Sequence, residues 1–231
     1  MRYDTILFDA DGTLLDFHKS EKEAVREALI MSGISALDEQ IKVYSEINDG
    51  LWKMLERGEI ERSVLLYRRF ELFCERYGYT ADAKKIAEDY MHTLSTKAYL
   101  IDGVEDMLKS LFGKVRMYII TNGVEFIQRG RYARTGLEKY FDEIFISEAM
   151  GVQKPDAGYF EYVAQHVDGF DRSRALVVGD SLTSDIKGGN NAGIDTCWYS
   201  PEKSDAAGVA APTYHAGSFD DILDIIFGRN A

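Results

Sequence analysis

The residues best suited to chemistry are two aspartates, Asp9 and Asp11, which follow the apolar run Thr5 to Phe8. In an extended backbone, side chains two positions apart project to the same side. Two neighbouring carboxylates repel each other unless a cation or a shared proton compensates them, and Mg²⁺ prefers such oxygen ligands. The pair therefore predicts a metal site, although Asp11-Gly12 alone would also fit a tight hairpin turn.

A second acidic segment, Gly179 to Asp185, follows another apolar run. Asp180 or Ser181 would also be a suitable N-cap for a following helix. Ligands of open α/β sheets collect at the carboxyl ends of the strands. We therefore expect this second acidic strand end, with Asp180 and Asp185, to converge with the first on one crevice.

Two further segments are candidates for binding an anion. Thr121 and Asn122 directly follow the apolar run Val115 to Ile120. They would either cap the next helix or bind a phosphate through the threonine hydroxyl and main-chain N–H groups. Lys154 precedes Pro155, which favours an extended lysine backbone and would help direct the ammonium into a cleft. A lone lysine is otherwise usually solvated.

Short apolar runs without polar alternation predict strands buried on both faces. Helical patterns between the later runs, one ended by Gly113 and one over 183–192 ended by Gly193, predict strand–helix alternation. This pattern predicts an α/β fold, with a Rossmann-like parallel sheet and helices on both faces. The predicted strands are Thr5 to Phe8, Val115 to Ile120, Ile144 to Ile146, Ala175 to Val178 and Thr196 to Tyr199.

The segment 17–97 contains no strand-like run and shows four apolar stripes at helical spacing. It is predicted to be an inserted α-helical cap domain, with residues 1–16 and 98–231 forming the catalytic core. The first cap helix is expected to begin at the capping box Ser20 to Glu23.

Composition excludes several classes of function. A net charge of −12 argues against a binder of nucleic-acid polymers, which presents a basic face. No apolar run is long enough to span or anchor in a membrane. The two cysteines, Cys74 and Cys197, are far apart in sequence, so a reducing, cytoplasmic location is expected. The oligomeric state, monomer or small homo-oligomer, stays open.

The four chemical segments occur in the order of the motifs of the haloacid dehalogenase superfamily, which the chain resembles. The motifs are Asp-x-Asp-x-Thr, then Thr-Asn, then Lys-Pro, then Gly-Asp-x4-Asp. Gly12 and Thr13 strengthen the match, and the helical insert lies where this superfamily places its C1-type cap. The resemblance covers the whole core.

The resemblance implies a Mg²⁺-dependent phosphatase with an aspartyl-phosphate intermediate. Asp9 would be the nucleophile and Asp11 the general acid and base. Mg²⁺ would be held by Asp9, the main-chain carbonyl of Asp11, and Asp180, with Asp185 orienting metal-bound water. The residues expected to neutralise the phosphate oxygens are Thr121, Asn122 and Lys154.

The chain also resembles one branch of this superfamily, the bacterial pyrimidine 5′-nucleotidases of the YjjG type. This resemblance implies a small phosphorylated substrate, a pyrimidine nucleoside 5′-monophosphate. Phe17, where the chain enters the cap, is the predicted specificity residue, because an aromatic face stacks on a base. The runs that carry the likeness, besides that around Asp9, are Arg134 to Leu137, Tyr140 to Asp142, Ile146 to Glu148, Asp171 to Arg174 and Asp195 to Trp198.

Other functions fit less well. Dehalogenases of the superfamily lack the second aspartate of the first motif, whereas a phosphomutase or a phosphatase of sugar phosphates or phosphoglycolate stays open. A phosphorylated receiver domain has similar strand-end aspartates but half this length and no cap. A dinucleotide oxidoreductase is disfavoured because no G-x-G-x-x-G follows the first strand.

Overall fold

The computed structural model describes residues 1–202 and 210–229. They form two compact units: a core unit of 1–16, 100–125 and the described part of 135–231, and a helical unit of 17–99 and 126–134. Residues 126–134 and 98–99 thus group with the helical unit, although the sequence placed them in the core. The expected core range 98–231 also includes 203–209 and 230–231, which lie outside the described residues.

The core unit is built on a six-stranded, fully parallel sheet with the strand order β3-β2-β1-β4-β5-β6. This confirms the predicted α/β class. The first strand lies between the second and the fourth, so the carboxyl ends of these three strands are adjacent. The strands are β1 (Thr5–Phe8), β2 (Arg116–Thr121), β3 (Glu143–Ile146), β4 (Ala175–Gly179), β5 (Asp195–Tyr199) and β6 (Tyr214–Ala216).

The sixth strand was missed from the sequence. Its three residues, Tyr214–Ala216, form no apolar run, and the middle residue, His215, is exposed. The strand forms because it pairs with β5 at the edge of the sheet. Pairing at an edge is a tertiary contact that local sequence does not encode.

Ten α-helices lie among the described residues, and none of them is long and apolar enough to cross a membrane. Residues 126–134 of α6 group with the helical unit, and its end residues Glu125 and Thr135 with the core unit. The helices are α1 (Phe17–Met31), α2 (Asp38–Glu56), α3 (Arg62–Tyr77), α4 (Ala83–Thr96), α5 (Val104–Leu111), α6 (Glu125–Thr135), α7 (Ser147–Met150), α8 (Ala157–His166), α9 (Lys187–Asn191) and α10 (Phe219–Phe227).

The four predicted cap helices are α1 to α4, but the predicted start of the first is wrong. Helix α1 begins at Phe17, so Ser20 lies inside it and does not cap it. Ser20 is fully buried, and the Glu21 carboxylate accepts hydrogen bonds from Ser45 and Asn48 of α2. Ser20 and Glu21 therefore face the interior of the helical unit, whereas Lys22 is exposed and Glu23 half-buried.

The segment after β4 is helical as predicted, but its first turn is wider than an α-helix. Residues Leu182–Ile186 form a π-helical turn that continues into α9. The Ser181 carbonyl accepts from the N–H groups of both Asp185 and Ile186, at 3.0 and 3.1 Å. Such π turns are frequent at functional sites, and this one determines where the Asp185 side chain lies.

The packing of α9 against the sheet leads to a stability prediction. A Cβ atom at Gly189 would lie 2.5 Å from the Thr196 methyl carbon and 3.2 Å from that of Val177, so Gly189→Ala is expected to destabilise the fold by about 1–3 kcal/mol. At Gly50, inside α2, a Cβ atom would meet nothing within 4 Å. Gly50→Ala should therefore stabilise by about 0.5–1 kcal/mol through helix propensity. Urea denaturation measures the free energy of unfolding of both variants. If Gly189→Ala stabilises the protein, the close packing of α9 against the sheet is contradicted.

Candidate active site

The ammonium group of Lys154 bonds to residues at the ends of β1 and β2 and in the π-helical turn that follows β4. Its Nζ donates to Asp9 Oδ1 and to Asp185 Oδ1, both at 2.6 Å, and to the Ile120 carbonyl at 2.9 Å. Lys154 is 1% exposed, so these three acceptors match the three donors of a buried ammonium. The lysine that the sequence placed in a loop is thus buried and fully bonded.

Three carboxylates surround this ammonium. One oxygen from each of Asp9, Asp180 and Asp185 lies within 4.8 Å of the others. When all are ionised, three carboxylates and one ammonium carry a net charge of −2, which a divalent cation would offset. Oxygen ligands of this kind suit Mg²⁺, so the donor set fits the metal expected from the sequence.

Asp11 is not a member of this carboxylate group. The strand ends at Phe8, and the chain then turns at Ala10, whose carbonyl accepts from the N–H groups of both Leu14 and Leu15 at 2.9 and 2.8 Å. The backbone therefore does not continue extended, which was the condition for the Asp9 and Asp11 side chains to project together. The metal-binding role of Asp11, through its main-chain carbonyl, stays a prediction.

The electrostatics of the cluster are dominated by burial and like charge. Burial, together with the Asp185 carboxylate, raises the pKa of Asp9 well above its usual value, against the effect of Lys154. Burial lowers the pKa of Lys154, but Asp185 and Asp9 more than compensate and raise it. Burial and Asp185 raise the pKa of Asp180 to about 7, although this side chain keeps a solvent-exposed face that moderates the effect.

Three neighbours fix Asp180. A Cβ atom at Gly12, whose φ is +87°, would lie 2.4 Å from Asp180 Oδ2, so only glycine leaves room for the carboxylate. The Thr13 hydroxyl donates to Oδ1 at 3.3 Å, and the Trp198 indole N–H donates to the Asp180 carbonyl at 2.8 Å. Trp198 was identified from the sequence only as part of a family likeness. Its role depends on the pairing of Trp198 with Gly179 across β4 and β5.

Asp185 is completely buried. Besides Lys154, its carboxylate accepts the Ser181 N–H at 3.1 Å. A Cβ atom at Gly179 would lie 2.3 Å from Asp185 Oδ2. The glycine at the end of β4 is therefore required for the close approach of this carboxylate.

Thr121, the last residue of β2, and Asn122, the residue after it, differ in environment. The Thr121 side chain is buried, and its hydroxyl oxygen accepts the Gly123 N–H at 3.0 Å. The Asn122 side-chain amide forms two hydrogen bonds with the main chain of Lys154. The structure thus brings Thr121 and Asn122 to the strand end that also contacts Lys154.

Phe17 belongs to the helical unit. The Arg131 guanidinium lies 5.7 Å from the centroid of its ring. Arg131 is fully buried and donates to the Lys97 carbonyl at 3.3 Å and to Gln128 at 3.0 Å. The role of Phe17 in specificity stays a prediction.

Comparison with known proteins places these features in one family. The haloacid dehalogenase-like hydrolase family matches residues 3–193. The chain is 40% identical over 227 residues to the pyrimidine 5′-nucleotidase PynA of Streptococcus pneumoniae, covering 98% of this chain and 96% of that protein. It is 33% identical over 226 residues to the pyrimidine 5′-nucleotidase YjjG of Escherichia coli, covering 98% and 99%.

A solved structure is similar over nearly the same length. The magnesium-bound crystal structure of the HAD-hydrolase YfnB from Bacillus subtilis superposes with a TM-score of 0.93. The two sequences are 38% identical, and the match covers 98% of this chain and 99% of YfnB.

The carboxylate cluster predicts that Mg²⁺ stabilises the fold. At one hundred times its dissociation constant, a bound ion adds about 2.7 kcal/mol, and each kcal/mol raises Tm by about 2–4 °C in a chain of this size. Asp180→Asn should reduce this rise. Calorimetry with MgCl₂, against NaCl at equal ionic strength, measures the effect. An equal rise in Asp180→Asn would contradict the site.

The rise in Tm caused by Mg²⁺ should also depend on pH. Asp180 has a folded pKa of about 7 against 3.8 in the unfolded chain. The folded state then binds protons more tightly, so the metal-free protein loses stability as pH rises from about 4 to about 7. Mg²⁺ offsets that repulsion and competes with those protons. The Mg²⁺-dependent rise in Tm should therefore be larger at about pH 8 than at about pH 5.5.

Proposed function

The chain belongs to the haloacid dehalogenase-like hydrolase family, and we propose that it hydrolyses phosphomonoesters through an aspartyl-phosphate formed on Asp9. The observation that carries this proposal is the position of the Asp9 carboxylate. It lies at the end of β1, it accepts a hydrogen bond from Lys154, and its oxygens lie near those of Asp180 and Asp185. A carboxylate so oriented, beside groups that bind cations and phosphate, suits nucleophilic attack on phosphorus.

The reaction has two steps. A carboxylate oxygen of Asp9 attacks the phosphorus, the bond to the ester oxygen breaks, and Asp11 donates a proton to that leaving oxygen. Water then attacks the phosphorus of the aspartyl-phosphate, and Asp11 takes a proton from this water. Inorganic phosphate leaves, and the Asp9 carboxylate is regenerated.

The phosphate oxygens require positive charge and hydrogen-bond donors. Lys154 supplies the charge, and the Thr121 hydroxyl and main-chain N–H groups, that of Asn122 included, supply donors at the end of β2. Asp9, Asp180, Asp185 and the Asp11 carbonyl would hold Mg²⁺. When bound, this ion reduces the repulsion between carboxylate and phosphate and stabilises the charge of the transition state.

We propose that the substrates are pyrimidine nucleoside 5′-monophosphates, above all the deoxy forms. Two relatives named pyrimidine 5′-nucleotidases support this substrate class, because the similarity extends over 98% of this chain in both cases and thus includes the helical unit. Phe17 is the proposed contact for the base. Its ring lies beside a guanidinium in the helical unit, and stacking on a base contributes about 1–3 kcal/mol.

The nucleophile can be tested with one substitution. Asp9→Asn removes the attacking oxygen anion, so turnover of p-nitrophenyl phosphate should fall by at least about a thousandfold. Asp106→Asn, at a side chain that is 90% exposed, is the matched control and should stay fully active. Retention of more than a tenth of the activity in Asp9→Asn, with an unchanged fold by circular dichroism, would reject the assignment.

The substrate class is tested by a panel of nucleoside monophosphates, hexose phosphates and phosphoglycolate with Mg²⁺. Pyrimidine nucleotides should have the highest kcat/KM. Phe17→Ala should raise KM for dUMP by about 5- to 150-fold, the equivalent of the stacking energy, and spare p-nitrophenyl phosphate. Phe112→Ala, at a ring 57% exposed in the core unit, should change neither substrate. If a sugar phosphate outperforms every nucleotide, the nucleotidase assignment fails and the phosphatase assignment stands.

A further inference from the structure

The Asn122 side chain bonds to the main chain of the residue that connects the active-site carboxylates. Its Oδ1 accepts the Lys154 N–H at 2.9 Å, and its Nδ2 donates to the Lys154 carbonyl at 2.8 Å. Lys154 lies between α7 and α8, outside any helix or strand. A buried main chain requires partners for its polar groups, and one asparagine supplies both for this residue.

The chemistry of this contact restricts the residue type. A primary amide presents a donor and an acceptor side by side, whereas a carboxylate only accepts and a hydroxyl has one hydrogen. Asn122 therefore pairs with Lys154 as a neighbouring strand would. Only asparagine or glutamine offers both groups, and glutamine is longer by one methylene.

The main chain and the ammonium group of Lys154 both bond to residues at the end of β2. The amide of Asn122 bonds its main chain, and the carbonyl of Ile120, two residues earlier, accepts from its ammonium at 2.9 Å. The flexible four-carbon side chain of Lys154 connects its main chain to its ammonium group. With both ends fixed, Nζ stays between the Asp9 and Asp185 carboxylates, 2.6 Å from each.

We propose that the Asn122 side chain is a positioning residue for Lys154, acting on the reaction through the placement of Nζ and not through its own contact with phosphate. This inference rests on the proposed function. A phosphate contact from Asn122 would then come from its main-chain N–H. Because the hydrogen bonds join Asn122 to the Lys154 main chain, they persist when the lysine side chain is removed.

The matched control is another asparagine that bonds to the loop containing Lys154, namely Asn191 at the end of α9. Asn191 Nδ2 donates to the carbonyl of Pro155, the residue next to Lys154, at 3.3 Å, and this side chain is exposed. Asn122→Ala should lower kcat for p-nitrophenyl phosphate by about 10- to 100-fold, since displacement of about 1 Å costs that much, with KM within about threefold. Asn191→Ala should leave kcat within about twofold of the parent.

A double-mutant cycle with Lys154→Ala separates positioning from direct contact. Binding of inorganic phosphate in Mg²⁺, measured by isothermal titration calorimetry, requires no turnover. Asn122→Ala should weaken phosphate binding in the parent but change the dissociation constant by less than about twofold in Lys154→Ala, because the group it positions is gone. Equal losses in both backgrounds would overturn the inference and assign Asn122 as a phosphate ligand.

Two further measurements keep the test decisive. Asn122→Ala should lower the free energy of unfolding both in the parent and in Lys154→Ala, because the main chain of residue 154 that Asn122 bonds is present in both. An unchanged free energy of unfolding in both proteins would overturn the inference. If Asn122→Ala does not fold, Asn122→Asp replaces it, since aspartate accepts from the Lys154 N–H but cannot donate to its carbonyl. Full activity of Asn122→Asp would also overturn the inference. A parent enzyme inactive on every phosphomonoester would reject the proposed function itself.

Discussion

The ion pairs of the buried Lys154 ammonium with Asp9 and Asp185 are the constraint on which the site depends. Withdrawing charges from water costs several kcal/mol for each ion, and removing one member of such a group typically costs about 3–5 kcal/mol. The three hydrogen bonds that Nζ donates offset the cost of removing these charges from water. The strand ends that carry the acceptors must therefore keep their spacing, and the sheet order, with β1 between β2 and β4, provides it.

The carboxylates approach one another only because glycines leave space beside them. Gly12 faces Asp180, and Gly179 faces Asp185, at distances that a Cβ atom could not occupy. The fold thus concentrates negative charge at one end of the sheet, which raises the pKa values of Asp9 and Asp180. This concentration disfavours the metal-free protein, and a divalent cation would offset it.

Side-chain hydrogen bonds to main-chain groups hold this arrangement in place. The Trp198 indole bonds the Asp180 carbonyl, and the Asn122 amide bonds the Lys154 main chain. Both hydrogen bonds are made to the main chain, of Asp180 in one case and of Lys154 in the other. They therefore fix the position of the Cα atom from which each side chain extends. Sites held in this way keep their geometry without reorganisation during the reaction.

The sequence by itself determined the fold class, five of the six strands and the aspartates and lysine of the site, because apolar runs and polar strand ends are local patterns. It did not determine β6, the inward-facing Ser20 of α1 or the exclusion of Asp11 from the carboxylate group. The local turn from Ala10 to Leu15 decides the position of Asp11. The strand β6 and the burial of Ser20 depend instead on contacts between distant segments, through edge pairing and helix packing. The two hydrogen bonds of Asn122 are of the same kind, since 32 residues separate it from Lys154. Spacing along the chain indicates which residues carry the chemistry, but only the folded sheet decides which atoms meet.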